Sequence, residues 1–350
     1  MNVSQDLTKA DGSLTKLIKR YPLITFFVMS VLLEWSAEFL MYFFFNQGSE
    51  SQGYTNVYIA AFSPVLSAMF LMNLLNRGKA EPPRKNRLLI FLVVFVVVGA
   101  LRWISRIWWE HDLSLNVLPG DIILVSLSAF VASGVLSSRK GTRTLLEPMI
   151  NWKVSWVWYV FAVLFWPALT LAGNYLALLI GVNVPESPKI PDSPLLLVIL
   201  VSFMWSLFIN GPIQEEAGWR GFAQPRLQSR FSPLVSSIII GLVWGSFHWA
   251  GFFLGYREGG WQSIFIRLGD ISLAILFTWL YNRLKGKSLL PLLLLHTSVN
   301  ATRDFLPRTT LTVYSLLGIV IIIMIIADKM WKQPQDTSIV PDTGVHEASA

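Results

Sequence analysis

Glu215 and Glu216 stand side by side in the stretch QEEAGWRGFAQ, residues 214–224, at the end of a long apolar run. Arg220 follows Glu216 by four residues. Charged side chains in such a place are costly to bury and mark functional sites. On a helix Glu216 and Arg220 share a face and can pair. The helical step turns Glu215 about 100° away from its neighbour. One carboxylate is then held by the arginine while the other faces a cavity, where a partly desolvated Glu215 is a candidate general base. The competing structural reading is a charged helix end that snorkels to the cytoplasmic surface.

Two later stretches answer this one. His248 lies in WGSFHW, residues 244–249, with Trp244 one turn before it. His296 and Asn300 lie in HTSVN, residues 296–300, and share a helix face. The chain has four histidines, and these two fall within apolar runs. Read singly, His248 is as readily a buried histidine satisfied by a neighbour, and His296 with Asn300 an interhelical hydrogen-bond device. Together the stretches supply a carboxylate, two imidazoles and an amide. Glu215 with His248 can activate a water, and His296 with Asn300 can donate to the oxyanion of a tetrahedral intermediate. That inventory serves amide hydrolysis without a protein nucleophile. Glu215, His248 and His296 also form the donor set of a His₂Glu zinc site, the minority reading. The motifs HExxH, GxGD and GxSG are missing, and there is no cysteine for thiol chemistry.

The elements that must position these residues are apolar throughout. Of 350 residues, 53% are hydrophobic and 14% charged, against about 25% charged in soluble proteins. Mean hydropathy is +0.53. This composition predicts an all-α polytopic membrane protein, since about 20 apolar residues cross a bilayer as a helix. About ten runs qualify: 22–45, 56–76, 88–107, 117–137, 154–181, 195–215, 236–256, 264–284, 289–303 and 311–327. Lys and Arg collect in alternate loops, which places both termini in the cytoplasm and the site in the cytoplasmic half of the bilayer. The net charge of +7 is thus a topology signal, not a nucleic-acid surface. No cleaved signal peptide is expected. Glu34 and Glu38 on the first run, and Arg102 and Arg106 on the third, are expected to pair. Glu215 is expected to end its helix on the cytoplasmic side, and His248 reaches similar depth only if the seventh helix begins near residue 236.

The three stretches resemble, in order, the EExxxR, FxxxH and HxxxN motifs of the CPBP family: type II CAAX prenyl proteases, bacteriocin-processing and self-immunity proteins, also called the ABI domain. The first is Glu215-Glu216-Ala-Gly-Trp-Arg220 and the third His296-Thr-Ser-Val-Asn300. In the second, Trp244 takes the aromatic place before His248. The resemblance covers about residues 195–303. It implies an intramembrane, glutamate-dependent endopeptidase with Glu215 as base, His248 orienting the water, His296 and Asn300 as the oxyanion site, and Glu216 and Arg220 in support. No cofactor is required, although the family was long described as metalloproteases. The expected organisation is an N-terminal membrane portion of about five helices (1–190), the protease core (195–303), an extra helix (304–327) and a disordered cytoplasmic tail (328–350). Expected partners are a peptide or protein substrate, lipid-modified if it is a prenylated tail, and membrane lipids; in a prokaryote the location is the cell membrane. The rivals are a non-catalytic immunity or scaffold protein, and a transporter marked by broken helices in symmetric halves.

Overall fold

A computed structural model describes residues 12–45, 50–76, 82, 84–254 and 267–333. The end of the expected polar tail, from residue 334, lies outside them. Among the described residues the regular elements are all helical. The order is α1 (Ser13–Arg20), α2 (Pro22–Phe45), α3 (Glu50–Ala60), α4 (Ser63–Leu75), α5 (Arg87–Ser105), α6 (Leu118–Ser133), α7 (Lys140–Leu146), α8 (Trp156–Leu179), α9 (Leu195–Ile209), α10 (Pro212–Glu216), α11 (Gln224–Gln228), α12 (Pro233–Phe247), α13 (Trp249–Phe253), α14 (Gly269–Arg283), α15 (Leu290–Thr302) and α16 (Thr310–Ala327).

Among the described residues eight stretches are long and apolar enough to cross a membrane, against the ten expected. The difference lies in α14 and α15, with 15 and 13 residues. At 1.5 Å per residue they rise about 20 Å, short of the ~30 Å hydrocarbon core. Most of α15 is buried, from Pro291 to Thr302 with few gaps. These two helices are internal pillars around which the longer spans pack. Gly241 lets α12 close onto α14, because a Cβ there would lie 2.6 Å from Ile271 Cα.

The expected pairing of Glu34 and Glu38 with Arg102 and Arg106 does not occur. Arg102 pairs with Asp121 at 2.6 Å and with Glu110, and Arg106 pairs with Asp121 at 3.2 Å. The reason is neighbourhood: α5 packs on α6 and α9, whereas α2 packs on α3, α4 and α12. Glu34 instead accepts from Ser63 Oγ at 3.4 Å.

Hydrogen bonds tie the loops into two opposite ends. At one end Leu289 N–H donates to Pro148 O at 2.8 Å, Asn151 Nδ2 to Lys287 O at 2.8 Å and Leu234 N–H to Met330 O at 3.0 Å. At the other, Asn174 Nδ2 donates to Pro307 O at 2.7 Å and Ser202 Oγ to Asp304 at 2.5 Å. The second end also holds the arginine network of Asp121.

Candidate active site

The sixth span runs from Leu195 to Gln228 and is broken in the middle. Asn210 ends α9, Gly211 takes φ +106°, and Pro212 begins α10. Only glycine adopts that φ without strain, and proline fits the first helical turn because its missing N–H would have no intrahelical partner there. Gln214 repairs the break: its Oε1 accepts from Gly211 N–H at 2.6 Å, and its Nε2 donates to Tyr58 O at 2.9 Å. Beyond α10 the chain makes a π-helical turn, Ala217–Ala223, before α11. Such turns are common at functional sites.

Glu215 is therefore not at a helix end, as its sequence context implies, but deep in a span with further turns after it. It lies thirteen residues before Gln228, about 20 Å at 1.5 Å per residue, and His248 lies fifteen after Pro233, about 22 Å. The two match in depth although α12 begins before residue 236.

Glu216 and Arg220 pair as their spacing predicts, Nη1 to Oε1 at 3.2 Å, both fully buried. The guanidinium lies 4.9 Å from the Trp244 ring centroid and 4.5 Å from that of Phe277, so aromatic faces replace water around it. His296 Nδ1 approaches the same Glu216 Oε1 at 2.7 Å. Glu216 thus orients the imidazole of α15, with Trp244 and Phe277 set edge-on to the ring.

Glu215 uses one carboxylate oxygen for anchoring. Its Oε2 accepts from Trp244 Nε1 at 2.5 Å and Trp219 Nε1 at 3.2 Å. Its Oε1 packs close to the bare Cα of Gly211: a Cβ there would lie 3.0 Å from Glu215 Oε1 and 3.1 Å from His296 Nε2, so both atoms stand beside one backbone position. Asn300 Nδ2 donates to Asn210 O at 2.6 Å, a carbonyl released by the helix break. His248 caps α12, whose terminal carbonyls at Ser246 and Phe247 accept from Trp35 Nε1 at 3.2 Å.

A cavity of about 430 Å³ is lined by Glu215, His248, His296 and Asn300 together, with Gly211 and Asn210 beside them. Glu216 and Arg220 are behind this wall. The cavity runs to Arg303 and Arg308, both exposed, in the loop between α15 and α16. Among the described residues no three His, Asp or Glu side chains are grouped closely enough to share a metal ion, so the donor set for a His₂Glu site is present in one cavity but not gathered. Sequence reasoning had no role for Gly211, for the indole donors Trp219 and Trp244, or for the arginines of the rim. The one available signal was the i,i+4 spacing of Trp219 from Glu215.

A buried acid held by two indoles, beside an imidazole oriented by a second acid, is a site for moving protons within a membrane span. Residues 196–302, which carry it, match the family described as type II CAAX prenyl endopeptidase Rce1-like. Over 248 residues the chain is 25% identical to CAAX prenyl protease 2 of Methanococcus maripaludis, covering 64% of this chain and 86% of that protein. The three motifs all fall inside the segment that is similar to this family, residues 196–302.

Proposed function

We propose that the chain is a glutamate-dependent endopeptidase acting on peptide or protein tails of the CAAX type, lipid-modified where the tail is prenylated. The observation that carries this is that Glu215 Oε1 and His296 Nε2 stand beside the same backbone position, Gly211, on the wall of one cavity. Glu216 is shared with a guanidinium and accepts, so Nδ1 of His296 donates to it, and in this reading Nε2 is the atom left to accept. Two acceptors on the wall of one cavity suit a water, which has two protons to donate. Glu215 takes one proton as the water oxygen adds to the scissile carbonyl carbon. Asn300 and His248 line the same cavity and, in this reading, stabilise the oxyanion. The C–N bond then breaks and the proton passes from Glu215 to the leaving amine. This exchanges the duties that spacing alone gives the two histidines.

The protein is a multi-pass membrane protein, and we place it in the cell membrane with both termini cytoplasmic. Arg84, Lys85, Arg139, Lys140, Lys153, Arg230, Lys285, Lys287, Lys329 and Lys332 gather at the end opposite the cavity rim. By the positive-inside rule that end is cytoplasmic. The cavity then opens to the extracytoplasmic side, not toward the cytoplasmic half as its sequence context implied. Residues 195–303 form the protease core in this reading, and the first 190 residues support it.

The test is cleavage of a quenched farnesylated CAAX peptide by purified protein in detergent, with and without a chelator. Cleavage insensitive to chelator is expected. Loss with chelator, restored by zinc, would transfer the water to a metal.

A further inference from the structure

Arg303 and Arg308 have no role in the chemistry above, yet both line the cavity at its exposed rim. Among the described residues neither forms an ion pair, and the nearby acids are engaged elsewhere. Asp304 takes the hydroxyl of Ser202 at 2.5 Å, and Asp270 is held by Arg267 at 3.3 Å. Arg308 lies 5.8 Å from the Tyr314 ring centroid, which helps hold it at the wall. The helix α15 acts as a ruler between rim and chemistry. His296, Val299, Asn300 and Arg303 follow at i, i+3, i+4 and i+7, and all four line the cavity. Seven residues of helix span about 10.5 Å.

We propose that Arg303 and Arg308 bind the terminal carboxylate of the substrate tail. This rests on the endopeptidase reading above, and it adds what holds the free chain end: two guanidinium groups at the rim of the cavity. Guanidinium binds carboxylate through paired charge-assisted hydrogen bonds, whereas a terminal amide gives it no charge to meet. A tail extended by further residues, or ending in an amide, therefore loses this contact while keeping every contact nearer the scissile bond.

The experiment measures binding, so that it does not depend on turnover. Glu215→Gln protein in detergent is titrated with a fluorescent farnesylated tetrapeptide, as the C-terminal acid and as the amide, by anisotropy. The same titrations are run with Arg303→Gln and Arg303→Lys added. The acid is expected to bind about tenfold more tightly than the amide, Arg303→Gln to abolish that difference while amide binding stays unchanged, and Arg303→Lys to keep part of it. Unchanged amide binding also shows that Arg303→Gln is folded. Equal binding of acid and amide to the parent overturns the carboxylate subsite alone. Loss of both peptides on Arg303→Gln overturns it too, since the residue is then structural. No binding of either peptide to folded parent protein overturns the endopeptidase reading and the subsite with it. Acid preference in a protein whose wild type cuts nothing leaves the subsite standing and removes the endopeptidase.

Discussion

The indole N–H of Trp244 meets Glu215 Oε2 at 2.5 Å, joining residues 29 apart in sequence and belonging to separate spans. The bond fixes one carboxylate oxygen so that the other stands beside Gly211. It also ties the first motif to the second, because Trp244 precedes His248 by one turn on the same span.

Trp244→Phe keeps the ring and removes the donor. Losing a hydrogen bond to a charged group is worth about 1.5–3 kcal/mol, so a fall in kcat of about 10- to 100-fold is expected. Trp219→Phe removes the longer bond, 3.2 Å, and is expected to cost less. Steady-state rates of the two variants on one peptide check the order.

Glu216→Gln leaves Arg220 buried without an anionic partner and frees the His296 ring. Breaking one side of a buried pair costs about 3–5 kcal/mol, so a lower unfolding temperature in detergent is expected together with loss of activity. Adding Arg220→Met removes the stranded charge and is expected to restore stability but not cleavage. If the double variant melts no higher than Glu216→Gln, Arg220 is not the group left uncompensated.

Gly211→Ala places a methyl 3.0 Å from Glu215 Oε1 and 3.1 Å from His296 Nε2, at a φ of +106°. Backbone strain of this kind costs about 1–3 kcal/mol. Activity is expected to fall below detection while the protein still folds, as read by its melting transition. Retained activity would mean that the water is not held between Glu215 and His296 beside residue 211.

The native chain has no cysteine, so single cysteines report its orientation directly. Ser187→Cys, exposed in the linker at the rim end, is expected to react with a membrane-impermeant maleimide in intact cells. Lys153→Cys, exposed at the opposite end, is expected to react only after permeabilisation. The reverse pattern would turn the cavity toward the cytoplasm.

The site's inventory was legible because it rests on local spacing: Glu216 with Arg220 and His296 with Asn300 are i,i+4 pairs, and a helix puts such pairs on one face. Depth was not. The sixth run reads as ending at Glu215 because a charge follows, but Arg220 continues the span, its charge met by Glu216 and the faces of Trp244 and Phe277. The break at Gly211 sits upstream, where a single Gly-Pro pair in an apolar run does not announce how the chain will turn. Partner choice across helices was also hidden. Glu38 and Arg102 match in sign and depth in the sequence, but α2 and α5 pack against different neighbours, so Arg102 meets Asp121. The helices α14 and α15 read as spans by composition, and only packing shows them to be internal.

Glu215→Gln tests the central claim most directly. Glutamine keeps the shape and can still accept from both indoles, but it cannot take the proton from a water. The rate of peptide cleavage by purified protein is expected to fall by about 10²- to 10⁴-fold with the melting temperature little changed. Cleavage at the wild-type rate by Glu215→Gln would contradict the account.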